Sequence, residues 1–592
     1  VDLPENCPIR AASQARVVEC VLKRVFATEA NMRRIYSLIL FGALATAACV
    51  GKIGDEGNAV LKGGAGSGGT STGAGNAVTA SACGTSYAPG HIAIHRLTND
   101  EYDNTVDDLL FTTSTPGTAF DPSPAGQSGF ENDSNALILS DDLIAAYYTA
   151  GEALAKEVIA SKATPGGAYA QIVTCAPSAA CAQSTISAFA TRAYRRPVTS
   201  DELATLTGVF NADTDFDTGI QDVINAVLMN PKFIFVYTTG AQSQVDEATF
   251  AIDDYAIASR LSYALWQTMP DAQLTSLAQA GQLHDPTTLQ GQVTRMLKDP
   301  RVASMLKSLR NDWAALNTLA DPNGTLVGLA DDVRASMVGE VDAFLQDLVV
   351  NDKSFLNVLT GNYAFVDQNM ASYYGIPFTG SNPTAFVQVA LPVDRTGLVT
   401  TPGILTATAG DVAYTHPVHR GHWLTQKITC TPPSPPPQNT NETFNNPSTS
   451  GETPREALAQ HTSNPACAGC HASMDVLGLG LENYDPFGNW RTTYPSLPGT
   501  IDATGTLPPP DTQSFTNGLD MYADLAQDDG TRACLAQQIM AYALTRALTS
   551  TDDLCVVRAI GVASVTPTGS FSNTMQLIAG SRQFLMQTGE AP

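Results

Sequence analysis

VRASMVGEVDAFLQDL, residues 333–348, decides the fold class. Val333, Met337, Val341, Phe344 and Leu348 recur every three or four residues, which lays one apolar stripe along an α-helix. The spacing continues on either side. Asp253 is placed to cap a segment with Ile257, Leu261 and Leu265 on one stripe, and Leu289, Val293, Met296 and Leu297 follow i, i+4, i+7, i+8. Helix returns over Ala533–Leu548. Stripes of this kind read as core packing rather than function. Within Phe386–Ala409, alternating Val, Leu and Thr broken by Pro and Gly predicts short strands.

The chain has 592 residues, room for several domains at roughly 100–200 residues each. Hydrophobic residues make up 43%, which supports a packed core and excludes wholesale disorder. The net charge of −25 excludes a nucleic-acid partner, since little basic surface exists to displace phosphate counterions. The charge is spread, as on a soluble acidic surface. From Met32 the chain reads MRRIYSLILFGALATAAC, with basic Arg33 and Arg34, an apolar run Ile35–Ala48 and small residues up to Cys49. That pattern predicts export, and the run is too short to span a bilayer comfortably. Residues 1–31 make no sense ahead of a signal and read as an upstream extension. Cys49 is the candidate lipidation site that would tether the mature protein to a membrane. Thr46 stands where a lipoprotein box usually carries Leu, so ordinary cleavage after Ala45-Thr46-Ala47 is the alternative.

Residues 50–82 are rich in Gly, Ser and Ala and predict a flexible tether. A second biased stretch, Thr431–Pro454, contains PPSPPP and then Asn/Thr-rich sequence, a polyproline II linker by composition. With Cys49 acylated, Cys83, Cys175, Cys181, Cys430, Cys534 and Cys555 form an even set suited to an oxidising compartment. Cys175–Cys181 is the most local pairing, and Cys534 has Cys430 or Cys555 as partners.

The chemistry concentrates in NPACAGCHASMDVLGLGLENYDPFGNWR, residues 464–491. In C-x-x-C-H, two thiols can add to the vinyl groups of a porphyrin while the histidine ligates iron. Cys467 and Cys470 are therefore candidates for thioether links to one covalent haem c, with His471 as proximal ligand. A zinc site would need a fourth ligand, which His461 can supply. A redox dithiol would call for a βαβ pattern, which is not evident, and an inert loop or disulfide is the bland reading. The distal iron position is open between His461, Met521 and an exchangeable site. Met474 is too near His471 to reach the opposite face, and Met540 reads as core. Arg491, after Trp490, is a candidate partner for a haem propionate.

Other clusters carry weaker signals. His416, His419 and His422 lie in THPVHRGHW, where Pro417 disrupts regular geometry and no carboxylate is present, so structural histidines are the favoured reading. Asp121, Glu131, Asn132, Asp133 and Asn135 offer oxygen ligands for Ca2+ but lack EF-hand spacing. Arg195-Arg196-Pro197 reads as an inter-helix anchor. No Ser-His-Asp pattern, phosphate loop or GxGxxG stands out.

Several stretches, in order, resemble the cytochrome-associated multi-domain proteins of planctomycetes and myxobacteria. HRLTNDEYDNTVDDLL (His95–Leu110) is similar to the family's opening helix, and GFENDSN (Gly129–Asn135) to the turn that follows. AFATRAYRRPVTSDE (Ala188–Glu202) resembles its arginine-rich signature, RLSYALWQTMPDAQL (Arg260–Leu274) and Asn311–Pro377 its helical central domain, and Gly397–Leu424 the domain after that. CAGCH closes the set. The resemblance covers residues 90–590 and implies a cytochrome association, with His461 inside the family's H...PAC..CH pattern. Asp475-Val476 stands where the family has Asp-Pro, and no second CxxCH exists here.

The expected fold is mainly α and multi-domain: helical bundles, a small mixed or irregular β segment and a cytochrome-c-like helical C-terminal module. The expected divisions are an upstream extension 1–31, a signal 32–49, a tether 50–82, helical domains 90–165, 170–240 and 245–377, a mixed segment 378–430, a linker 431–454 and the haem-c-like module 455–592. The favoured function is an exported, membrane-tethered monohaem protein of the bacterial cell envelope that transfers electrons to an unidentified redox partner or supports a redox reaction. An open iron would instead make a haem-dependent oxidoreductase. The long stretch 90–430 keeps a third reading in view, a cell-surface scaffold that binds polysaccharide, with haem subsidiary or absent.

Overall fold

The computed structural model describes residues 88–238, 243–246, 249–320, 328–410, 415–433, 451–463, 465–495, 497, 499–510 and 512–588. The signal with Cys49, the tether 50–82 and most of the linker 431–454 lie outside the described residues. The chain forms two compact units. Within the described residues, one comprises Tyr102–Pro122 with Ile138–Phe235, and the other holds residues 88–101, Ser123–Leu137 and 236–588. Both are mainly helical.

In the first unit, helices Asp141–Ala160, Ala179–Ala193, Ser200–Phe210 and Phe216–Leu228 pack on one another. Each starts where the sequence supplies a cap: Ser140, Ser178, Thr199 and Asp215 accept from backbone N–H groups that would otherwise be orphaned. Thr199 and Glu202 close a reciprocal capping box. The rings of Tyr102, Phe120, Tyr147 and Phe233 fill the core, with neighbouring centroids 5.0–5.8 Å apart. Arg195 does anchor elements: one Nη2 reaches the carbonyls of Lys232, Phe233 and Phe235 at 2.7–3.0 Å. Cys175 and Cys181 are disulfide-bonded.

The second unit is built around the helices the apolar stripes predict. Asp253 caps Asp254–Trp266, Asp285 caps Pro286–Leu297, and the stripe at 333–348 lies in Asp331–Val350. One apolar core contains Trp266, Trp313, Phe344, Phe355, Tyr484 and Tyr542, all essentially inaccessible to water. Burial of each such side chain is worth about 1.5–3 kcal/mol. Short antiparallel strands trim the helices. Thr249–Ala251 lies between Ser243–Asp246 and Met586–Thr588, and Tyr363–Val366 pairs with Val387–Ala390. The strand expectation for Phe386–Ala409 holds only at its start. Pro402 sits at the first position of a helical turn, where its missing N–H is harmless, and Pro402–Ala407 is helix.

The expected division at 431–454 does not divide the core. Residues on both sides, Leu424 and Ile428 before it and Leu477, Tyr484 and Tyr542 after it, belong to the same apolar cluster. The disulfide Cys430–Cys534 ties the two sides covalently. The C-terminal region is thus part of the larger helical body.

Candidate functional site

Cys467, Cys470 and His471 lie on one helix, Pro465–Leu479. Both cysteines are partly buried thiols and neither joins a disulfide, whereas Cys175, Cys181, Cys430 and Cys534 are all paired and Cys555 is disulfide-bonded too. On a helix, i and i+3 share a face, with i+4 beside them. The two thiols and the imidazole are therefore presented together.

One turn on, Asp475 fixes the imidazole. Its Oδ1 lies 2.9 Å from His471 Nδ1, and its side chain is 8% exposed. Burial raises the Asp475 carboxyl to about 6, against the pull of His471, so it is an acceptor at neutral pH. Nδ1–H then donates, and the imidazole lone pair is placed on Nε2, the atom a metal would take. Asp475 Oδ2 is buried without a hydrogen-bond partner among the described residues. The sequence singles out Asp475 only as a departure from Asp-Pro; its spacing of four from His471 is the signal that points to this contact.

The helix is held by Pro417–Lys427, which packs against it. A Cβ on Gly421 would stand 1.9 Å from the Met474 carbonyl oxygen, and one on Gly478 1.8 Å from that of Pro417. These two pairs show that the helices run antiparallel, in backbone contact that only glycine permits. Arg420, fully buried, then spans to the chain that leaves the helix. Nη1 donates to Leu481 and Tyr484 carbonyls and Nη2 to those of Leu405 and Asp485, at 2.7–3.1 Å. Four backbone acceptors thus take the place of a carboxylate partner for this cation, while burial lowers its pKa to about 10.

The following loop is built as firmly. Glu482, fully buried, accepts from Thr415 Oγ1 at 2.9 Å, Tyr494 OH at 3.0 Å and Arg491 Nη2 at 3.3 Å. Burial raises its carboxyl, and Arg491 opposes that most strongly. Asp485 takes the N–H groups of Phe487 and Asn489, closing the DPFGN turn. Arg395 holds the Gly488 carbonyl at 2.6 Å. Arg491 is thereby engaged with Glu482 and Thr415 rather than left pointing outward. Arg420, Glu482 and Thr415 are not visible as a network in the sequence, because their partners lie tens of residues away.

The other site residues fall in different surroundings. Met521 is fully buried, with Sδ 3.1 Å from where a Gly480 Cβ would be. Gly480 lies nine residues past His471, about 13 Å along a helix axis, so the thioether packs at the far end of the helix. Met474 is buried under Gly421, and Met540 is core. The side chain of His461 lies outside the described residues. The His416 and His419 rings meet edge to face at 4.5 Å, and burial holds His419 and His422 below the usual imidazole range. Asp133 accepts from Ser128 N and Asn135 N, organising its own turn, while Asn132 donates to the Tyr542 carbonyl. Among the described residues, no three His, Cys, Asp or Glu side chains converge as a metal site, whether for zinc or for Ca2+.

Four family models match the chain in succession. They are PSD3, protein of unknown function (DUF1587), over residues 95–160; PSD5 (DUF1595) over 181–237; PSD4 (DUF1592) over 252–376; and PSCyt3 (DUF1588) over 395–494. The last begins at Arg395, ends at Tyr494 and encloses both antiparallel helices and the Glu482 network. No curated protein matches the chain, and no solved structure does.

Proposed function

For a chain that belongs to the planctomycete cytochrome-associated family, we propose that helix Pro465–Leu479 carries one covalent c-type haem and serves electron transfer at the bacterial cell envelope. One observation carries this reading: two thiols outside the disulfide set stand beside a histidine whose Nδ1 is committed to a buried carboxylate. A dithiol with that neighbour fits the group: Cys467 and Cys470 would hold it by thioethers and His471 Nε2 would face the iron. Haem bound there would supply a one-electron couple.

The chain's own residues set its surroundings. Asp475 holds the ring angle and increases the basicity of Nε2, an effect that favours the oxidised metal. Gly421 and Gly478 bring the supporting helix into backbone contact, and Arg420 and Glu482 fix the loop beyond. Export and attachment through Cys49 would place the site where a redox partner or a membrane carrier can reach it.

Expression with a c-type maturation system tests this. The protein should stain for haem after denaturation and give a reduced-minus-oxidised c-type spectrum, and Cys467→Ala with Cys470→Ala should abolish both. Stoichiometric zinc in place of iron would overturn the reading.

A further inference from the structure

An open groove of about 500 Å³ on the second unit plays no part in the haem reading. Helix Asp331–Val350 forms its floor. The facing wall is the hairpin of Tyr363–Val366 with Val387–Ala390, which contributes Phe365 and, just before its second strand, Phe386. The floor follows from the sequence. Gly339, Ala343, Gln346 and Val350 recur at i, i+4, i+7 and i+11, which sets them on one helix face. The first two are too small to fill it. A Cβ on Gly339 would stand 2.4 Å from Phe386 Cζ, so that ring rests against bare helix backbone. Phe365 lies opposite Gln388 in the ladder, and Phe386 precedes Gln388 by two, so both rings leave the same side of the hairpin. Both are half-buried.

Three polar side chains of the lining are exposed to solvent, and its charges are balanced. Asp342 pairs with Arg310 at 2.8 Å while its side chain remains 43% exposed. Asp347 pairs with Lys353 at 2.7 Å. Gln346 and Asn351 are exposed and uncharged. Asn351 Nδ2 donates to Asp347 Oδ1 at 2.8 Å, which turns its own Oδ1 away from that carboxylate. A ligand therefore meets a carboxylate acceptor, amides that both donate and accept, and two phenyl rings. Each carboxylate of the described lining already has its cation.

Sugars match that set, since a hydroxyl donates and accepts at once and the C–H faces of the ring are apolar. Ligand sites of about 300–1,000 Å³ combine aromatic walls with a few polar groups in the same way. We propose that this groove binds a neutral polysaccharide, one sugar ring against Phe365 and Phe386 and its hydroxyls on Asp342, Gln346 and Asn351. Val350, 42% exposed, extends the apolar surface past Gln346 for the next sugar along. A cationic ligand would find both carboxylates engaged. An anionic one would meet Asp342 on a chain of net charge −25.

Calorimetric titration of the full chain with cello-, malto-, xylo-, manno- and chitohexaose tests this, with hexagalacturonate as the charged control. Saturable binding of at least one neutral oligomer, at one per chain and at least tenfold tighter than hexagalacturonate, is expected. Phe386→Ala and Gln346→Ala should each weaken it tenfold or more with an unchanged circular dichroism spectrum. No binding by any neutral oligomer, hexagalacturonate binding as tightly as the best of them, or full affinity in either folded variant would each overturn the proposal. If Phe386→Ala does not fold, Gln346→Ala decides, because it alters an exposed side chain. The heat of sugar binding does not involve the iron, so the result stands apart from the haem reading.

Discussion

Two helices of this molecule carry a cysteine as their third residue, and the outcomes are opposite. Cys181 on Ala179–Ala193 bonds to Cys175 in the preceding loop, with Cα atoms 5.7 Å apart. Cys467 on Pro465–Leu479 has Cys470 on the same helix, and both remain thiols. Backbone geometry accounts for the difference. A disulfide needs Cβ atoms roughly 3.5–4.5 Å apart, whereas i,i+3 neighbours on a regular helix hold theirs at about 5–6 Å. A loop can fold back to close that gap; a helix resists. The same side chain is thus a staple in one unit and available for chemistry in the other.

The largest expected effect on this contrast is chemical. Removing Cys467 and Cys470 should eliminate covalent haem entirely and leave the circular dichroism of the chain unchanged. Removing Cys175 and Cys181 should leave haem intact.

Next comes the platform beneath the thiols. Gly478→Val puts carbon where the Pro417 carbonyl already stands. Chemical denaturation should show a loss of about 3 kcal/mol or more, together with lower haem incorporation. A variant as stable as the parent would show that the helices can separate freely, and the account of backbone contact would fail.

The staples themselves should rank by loop length. On chain-entropy grounds Cys430–Cys534, separated by 104 residues, is worth about 4–5 kcal/mol, and Cys175–Cys181, separated by 6, about 2 kcal/mol. Double Cys→Ser variants compared by denaturant midpoints check the order.

A pH test addresses the second unit away from its thiols. Burial raises Glu340 to about 8, and only Tyr374 donates to it, at 2.6 Å among the described residues. The folded state therefore holds a proton that the unfolded state releases near the ordinary glutamate value. Stability should fall as pH rises from about 4.5 to 8, by up to about 1.4 kcal/mol per pH unit. Glu340→Gln should flatten that slope, and an unchanged slope would assign the pH dependence elsewhere.

Most of the secondary structure was legible because helices announce themselves locally. Asp253, the Leu289–Val293–Met296 stripe and the Met337–Val341–Phe344 stripe needed no knowledge of distant residues. The supporting architecture of the site was not legible for the converse reason. Gly421 and Gly478 look like weak helix positions until the partner backbone is placed against them. Arg420 looks like a surface cation until four carbonyls from two other segments converge on it. The prolines at 431–454 suggested a spacer, but composition cannot report that Leu424 and Tyr542 share a core. CxxCH spacing singles out His471 as a candidate; its contact with a buried Asp475 depends on burial, which spacing alone does not give.

Asp475→Asn gives the smallest and finest effect. It keeps the shape and removes the carboxylate that accepts from His471 Nδ1, so on the proposed haem reading the potential should rise by about 59 mV, tenfold in a one-electron equilibrium. An unchanged potential would mean that the 2.9 Å contact does not reach the metal.

The most direct test of the central claim is the intact mass of denatured protein made with haem maturation. The account predicts an increase equal to one haem, retained in Met521→Leu and absent when Cys467 and Cys470 are both alanine. An unmodified mass for the parent chain, from cells that load haem onto a control cytochrome c, would contradict it.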